Sequence, residues 1–313
     1  METVNCNLCG SAQQEHLYEM HDWSFIQREI IVHFVRCKGC GLVYQNPRPT
    51  ETEIGAYYPD DYDCYTVEKR ENFHKNWIAR AGFAYGMRRR TAQVTRFKSG
   101  GSLLDIGCAT GNFLSAIGNR PGWDVEGVEI SSFASEIARD KGLPVFTGRL
   151  HEAAYPSERF DAVTLWDVFE HLHDPRADLT EIRRILKPGG LLVMRLPNLD
   201  SWDARLFKQY WAGFEPPRHL YVFNRATLAQ MLAQAGFVIR ALDSKASRHL
   251  TFMLSLQFWL TGRGAAPAVR QRWMRLLVHP AARLLLIPFF YLYGAVLRGP
   301  LLTVVAEKKP VAV

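Results

Sequence analysis

The 313-residue chain has no internal repeat and no apolar stretch that reads as a bilayer-spanning helix. The apolar segment "LLLIPFFYLYGAVL" covers about 14 residues between Arg283 and Arg298. Pro288 interrupts it, and it falls short of the roughly 20 residues a spanning helix needs. A basic start leading into an apolar run is also missing, since Met1 is followed by Glu2 and polar residues; no secretory leader is expected. Cysteine is scarce, six in all, and four of these form two CxxC pairs, which in a reducing compartment indicate a metal rather than disulfides. These absences predict a cytoplasmic protein, with contact at the inner face of a membrane as the further expectation. Acidic residues are outnumbered, 31 against 38 Lys and Arg, for a formal charge of +7. That excess suits an anionic partner but does not choose among nucleic acid, membrane and phosphorylated substrate.

What is present divides into three parts. Residues 1–64 carry the cysteine pairs with aromatic and β-branched residues between them, and read as a small β-rich metal module. Residues 65–98 turn helical and basic; Arg88, Arg89 and Arg90 in a row read as a solvated helix face. Over residues 99–313 apolar strand-like runs alternate with amphipathic helix patterns, predicting a doubly wound α/β domain with a Rossmann-like, mostly parallel sheet. Seven strands are expected, at Ser102–Ile106, Trp123–Glu129, Pro144–Thr147, Phe160–Trp166, Leu191–Leu196, Phe237–Asp243 and Leu301–Glu307. Helices are expected at Ser131–Lys141, Arg176–Leu186 and Arg225–Ala235. A helical insertion, about 245–299, precedes the last strand. A ligand is expected beyond the carboxyl ends of the strands.

The first strand runs into a glycine turn, "LLDIGCATGNF". A dinucleotide fingerprint requires glycine at 107, 109 and 112; the residues are Gly107, Ala109 and Asn112, so two of three fail. Asp105 at the strand tip would repel a pyrophosphate, whereas S-adenosylmethionine presents a cationic amine and sulfonium. Glu129 ends the second strand, placed for ribose hydroxyls in either cofactor class.

"LLDIGCATGNFL", "GVEIS", "FDAVTLWDVFEHLHDP" and "LKPGGLLVMRLPN", in this order, resemble the class I S-adenosylmethionine-dependent methyltransferases, in the branch of the ubiquinone-biosynthesis O-methyltransferases. The resemblance covers about 103–243 and the last strand. It implies that Asp105, Gly107 and Gly111 line the methionine end of the cofactor, that Glu129 holds the ribose, and that Ile130 packs on the adenine. Asp167 and Val168 border the methionine portion. The family often has an acid after the third strand; "TGRLHE" stands there, so backbone groups around Arg149 and Leu150 are expected to serve instead.

Cys6, Cys9, Cys37 and Cys40, in "CNLCG" and "CKGCG", form two knuckles at ribbon spacing and predict a closed, structural zinc site. Cys64 and Cys108 read as packing residues. The knuckle module also resembles the zinc-binding region of sugar C-methyltransferases. Methyl transfer needs orientation, and a base only where the acceptor is neutral. Candidate bases are Glu170 and His171 in "FEHLHD", and Glu215, His219 and Tyr221 in "GFEPPRHLYVF"; His219 is preferred with His171 of similar standing, and Tyr221 and Arg218 are also candidates for orienting an anionic or hydroxylated substrate. The insertion, with "LTFMLSLQFWL" and "RQRWMR", is expected either to lie in a membrane interface through 250–298 or to cover the sheet edge or a hydrophobic substrate.

The acceptor is thus expected to be a small molecule, or a lipid- or sugar-linked one, methylated on oxygen or carbon. An RNA base methyltransferase is the rival enzyme, opposed by the lack of an Asn-Pro-Pro-aromatic tetrapeptide at "WDVF" and of aromatic-basic alternation for base stacking. A non-catalytic zinc-anchored scaffold is the rival outside enzymes, opposed by the intact acids and glycines of the turn.

Overall fold

The computed structural model describes residues 1–23, 30–58, 77–244, 248–279 and 299–309, with positions 282, 285, 286 and 288. Cys64, the first part of the 65–98 segment and most of the apolar segment 284–297 lie outside the described residues.

Three antiparallel strands, β1 (Gln14–His21), β2 (Ile31–Cys37) and β3 (Val43–Gln45), open the chain. Helix α1 (Trp77–Thr95) follows. The large domain then alternates: β4 (Gly101–Ile106), α2 (Asn112–Gly118), β5 (Trp123–Glu129), α3 (Ser132–Asp140), β6 (Val145–Thr147), β7 (Phe160–Trp166), α4 (Pro175–Ile185) and β8 (Leu186–Pro197). After these come α5 (Trp202–Phe207), the two-residue strand β9 (Tyr221–Val222), α6 (Arg225–Gln234), β10 (Phe237–Asp243), α7 (Arg248–Gly262), α8 (Pro267–Val278) and β11 (Leu301–Lys308).

The large sheet has the order β10-β11-β8-β7-β4-β5-β6, and β11 runs against the other six. All seven expected strands form, and the sheet is mostly parallel as predicted. Its central strands are buried on both faces, so they read as continuous apolar runs rather than alternating ones; Leu103, Leu104, Asp105 and Ile106 are all buried. Helix α4 shows how a flanking layer is held. Asp174 caps it by accepting from Ala177 N (3.1 Å), and Leu179, Ile182 and Ile185 form a fully buried stripe. Each such side chain contributes roughly 1.5–3 kcal/mol by leaving water. Strand β8 begins at Leu186, five residues before the expected Leu191, because the Lys187–Gly190 turn continues directly into the ladder beside Phe160.

The arginine row differs from its expectation. Arg88 is exposed, but Arg89 reaches Asp243 (3.9 Å), and Arg90 lies over the Trp166 ring (5.5 Å) and near Asp167 (3.5 Å). Two of the three therefore turn onto the sheet, where carboxylates at strand ends attract them.

A second sheet has the order β1-β2-β3-β9, so the strand from the loop after β8 completes the amino-terminal module. Side chains reinforce this join. Arg218, fully buried, grips Asp22 with two bonds (3.1 and 3.2 Å) and Glu215 with a third (3.0 Å). Arg48 donates to the Tyr221 hydroxyl and to the His173 carbonyl (2.8 Å each). Gln45 Nε2 donates to the His219 carbonyl (2.7 Å).

Removing one member of a buried ion pair costs about 3–5 kcal/mol, because the other charge is left without compensation. Arg218→Met should therefore lower the unfolding free energy in urea by about that amount, and adding Asp22→Leu should restore part of it.

Candidate active site

The strand carboxyl ends bring together most of the expected residues. β4 and β7 pair with Asp105 opposite Thr164, and this register places the Thr164 hydroxyl to donate to Asp105 Oδ1 (2.5 Å). Asp105 is only 2% exposed. Burial pushes its carboxyl up to about 7, against the pull of Thr164 and the nearby Arg90, and Glu129 adds to the rise. Gly107 and Gly111 both take left-handed φ values, 68° and 75°. A Cβ on Gly107 would stand 2.5 Å from Val168, and one on Gly111 would stand 2.3 Å from Leu143, so steric contact requires glycine at both. Ala109 shares the left-handed region at φ 47°, a conformation costing an L residue roughly 1–2 kcal/mol.

The Glu129 carboxylate explains how that turn is held. Its two oxygens accept from Ala109 N (2.8 Å) and Ser131 N (2.9 Å), which bridges the turn after β4 to the start of α3. Each oxygen keeps a second lone-pair site. Ile130, next along, is 62% exposed and offers an apolar surface. Leu150 is buried, and the neighbouring Arg149 N donates to Glu152 (2.7 Å), so that amide is already engaged.

Asp167 lies at φ 61° at the end of β7 and is clamped by Arg195 of β8, whose Nε lies 2.8 and 3.0 Å from its two oxygens. Burial works against its ionisation, but Arg195 and Arg90 prevail and hold its carboxyl below the usual range. Sequence reading missed Arg195; its signal was a lone arginine near the end of an apolar strand, "LLVMRLP". An open cavity of about 210 Å³ adjoins this pair, bordered by Trp166, Arg195 and Thr303 on the sheet and by Arg89, Arg90 and Gln93 of α1.

A second cluster lies behind Asp167. The rings of His171 and His219 meet edge to face with centroids 4.5 Å apart. His219 Nδ1 is 2.9 Å from the Gly213 carbonyl, which can only accept, so the network assigns the proton to Nδ1 and leaves Nε2 as a lone pair. Nε2 faces Glu215 (3.4 Å) and Glu170 (3.9 Å). His171 Nδ1 lies 3.0 Å from the Arg218 carbonyl and 2.9 Å from the Tyr58 hydroxyl. Burial pushes His171 down to about 3 and lowers His219 despite the pull of Glu215; both are neutral imidazoles at neutral pH. Glu170 is 1% exposed, and among the described residues neither carboxyl oxygen has a hydrogen-bond partner. Burial, with Asp167 adding repulsion, raises its affinity for a proton well above the ordinary value. Such a group calls for a proton, an acceptor hydroxyl or a cation. Ligand atoms of Glu170, His171 and His219 lie within 4.8 Å of one another, so the three could also hold a divalent ion.

Tyr221 does not join this cluster. Its hydroxyl donates to the His173 carbonyl (3.1 Å) and accepts from Arg48, and its ring is buried, so it braces the join between the sheets rather than facing a substrate. Arg218 is likewise occupied by Asp22 and Glu215.

The four knuckle cysteines converge, with Cys6 Sγ to Cys40 Sγ and Cys9 Sγ to Cys37 Sγ both 3.4 Å, and all four sulfurs within 4.8 Å. Tetrahedral thiolates at a Zn–S distance of about 2.3 Å lie about 3.8 Å apart, so the set fits a zinc ion. Amides of Leu8 and Cys9 point at Cys6 sulfur, and those of Gly39 and Cys40 at Cys37 sulfur. The strand-end crevice likewise fits S-adenosylmethionine: two acids flank a glycine-bearing turn, and an exposed apolar side chain follows the second.

A family of methyltransferase domains matches residues 78–242, just over half of the chain. The ubiquinone biosynthesis O-methyltransferase of Cereibacter sphaeroides (strain ATCC 17025) is 41% identical over 156 residues, which are 44% of this chain and 63% of that protein. The demethylmenaquinone methyltransferase of Symbiobacterium thermophilum is 31% identical over 215 residues, 64% of this chain and 82% of that one. Among solved structures, one from a complex of the Haloferax volcanii Trm112 methyltransferase activator with its methyltransferase partner aligns at a TM-score of 0.50 and 16% identity. It covers 82% of this chain and 98% of that one, a likeness of fold.

The raised Asp105 pKa has a consequence for stability. The folded carboxyl keeps its proton up to about pH 7, whereas the unfolded one loses it near 3.8, so stability drains away as pH rises between these values. Asp105→Asn removes this loss. In the cofactor-free protein its stability relative to the parent should climb from pH 4 to 8 by up to on the order of 4 kcal/mol, read from denaturation at each pH.

Proposed function

The chain belongs to the methyltransferase-domain family and is an S-adenosylmethionine-dependent methyltransferase; we propose that it methylates oxygen or carbon of a small, lipid-linked or sugar-linked acceptor held against His219. S-adenosylmethionine, when bound, supplies the methyl group as a sulfonium. Asp105, Glu129 and Ile130 would hold it at its cationic, ribose and adenine parts, and Asp167, fixed by Arg195, would border its methionine portion. The observation that carries the acceptor reading is the buried cluster beside that crevice, with its unpartnered Glu170 carboxyl and the Nε2 lone pair of His219.

His219 Nε2 takes a proton from the acceptor's hydroxyl or acidic carbon, and the resulting imidazolium lies between Glu215 and Glu170. Glu215 is suited to this because Arg218, joined by His219 once it is protonated, works against burial and holds the Glu215 carboxyl below the usual range. Glu170, holding its own proton, can donate to an acceptor oxygen. Exclusion of water strengthens both interactions. The names of two relatives, which specify ubiquinone and demethylmenaquinone, favour a lipid-linked ring among the candidate acceptors. The zinc assignment is part of the same reading: a four-thiolate site leaves no open position, so its role is to hold the amino-terminal module against which β9 pairs.

Two tests follow. Comparison of metabolites from cells carrying the parent and Asp105→Ala should show one product lighter by a methyl mass in the variant. With that acceptor, His219→Asn should lower kcat by about 10²–10⁴-fold while cofactor affinity by calorimetry stays unchanged. The parent's acid limb, set by a His219 pKa below 6.5, should vanish in the variant. An unchanged kcat would remove His219 as the base. Separately, the purified protein should carry zinc at one ion per chain by elemental analysis, and Cys37→Ser should lose both the ion and several degrees of Tm.

A further inference from the structure

Between Asp243 and Glu307 the sequence contains no acidic residue, while it contains eight Lys and Arg. The described portion of this stretch is chiefly the helical pair α7 and α8. The inner face of α7 is fixed: Phe252 packs edge to face on Phe207 (5.3 Å), and Ser255 Oγ accepts from Ala212 N (2.9 Å), beside the loop that carries His219. Its opposite side shows Leu250, 59% exposed, and Leu254 one turn later. On α8, Val269, Trp273 and Leu276 fall at i, i+4 and i+7, a single stripe, and are 45%, 47% and 55% exposed. Arg272 and Arg275 are exposed alongside that stripe.

A surface helix ordinarily turns its apolar stripe inward. Here the outward stripe is apolar, and Arg272 and Arg275 stand beside it on a helix with no carboxylate of its own. A soluble polyanion would use the arginines and leave Trp273 and Leu276 in water; a protein surface of mixed charge would leave the arginines without uniform partners. A bilayer with anionic headgroups meets both features at once, since rings and leucines enter the headgroup boundary while arginines meet lipid phosphates. No helix among the described residues is long and apolar enough to cross a membrane.

We propose that the outer face of α7 and α8 lies on the surface of an anionic lipid bilayer, which holds the His219 side of the protein close to the membrane. This inference is independent of the acceptor's identity. Full-length protein should sediment with phosphatidylcholine vesicles containing phosphatidylglycerol, much less with phosphatidylcholine alone, and less at high salt. Arg272→Glu/Arg275→Glu should weaken partitioning at least about tenfold, since each cation near an anionic surface contributes roughly fivefold. Trp273→Ser/Leu276→Ser should weaken it by a similar factor, with Tm and cofactor affinity of both variants as in the parent. Equal binding to the two vesicle types, no binding, or variants that partition like the parent would overturn the proposal. So would RNA binding that outcompetes the vesicles, or an oligomer that Trp273→Ser/Leu276→Ser splits into monomers.

Discussion

The structure depends most on one shared edge, where Val43 and Tyr44 of the amino-terminal sheet pair with Val222 and Tyr221 of the large domain. A two-residue strand has little stability alone. It is held because Arg218, three residues earlier, is buried on Asp22, and because Gln45 and Arg48 bond across the join. The loop between α5 and β9 would otherwise be a long surface connection. Anchored at its far end, it fixes the backbone on either side of His219 and presents that ring to His171 within a few ångströms.

This anchoring links the cysteine knuckles to chemistry at a distance. Cys37 ends β2, and the turn from Cys37 to Leu42 leads into β3, the strand that receives β9. The core is continuous there: Cys6, Leu8, Cys37, Leu42 and Tyr44 pack in the same cluster as Phe169, Tyr221 and Phe223. Disorder in the knuckles would reach the acid-base cluster through contacts that are already close-packed.

The site separates its carboxyl groups into two kinds. Asp105 and Glu170 are buried without a cation bonded to them, and burial keeps them inclined to hold protons. Asp167 and Glu215 are held below the usual carboxylate range, against the effect of burial, with Arg195 and Arg218 among the causes. Environments that push neighbouring acids apart in this way provide one group to donate and another to stabilise a positive charge. The first-strand acid is consequently not a fixed negative charge facing the crevice. It is a group near its titration point, tied to Thr164, whose ionisation a cationic ligand would favour.

Local pattern made the sheet legible. Apolar runs leading to Asp105 and Asp167, an alternating strand ended by Glu129, a serine cap at Ser131 and a Lys-Pro-Gly-Gly turn each fix structure within a few residues, so strand positions and the crevice could be read directly. The glycines at 107 and 111 were legible for the same reason, although the contacts that require them, with Val168 and Leu143, come from other elements. The CxxC spacing gave a four-thiol site because each knuckle is local, and meeting of the knuckles follows from the β1–β2 pairing between them.

Tertiary structure decided what each polar side chain would touch. "GFEPPRHLYVF" offered Glu215, Arg218, His219 and Tyr221 as candidates with His219 foremost, yet only the Glu215 and His219 side chains reach the reactive cluster, while Arg218 and Tyr221 turn to partners 196 and 48 residues away. Arg90 and Arg195 had no local signal beyond their charge, since their partner Asp167 is remote in the chain and meets them only once β7, β8 and α1 are packed. Backbone form follows from neighbours in sequence, whereas a long polar side chain is settled by whichever opposite charge the fold leaves within its reach.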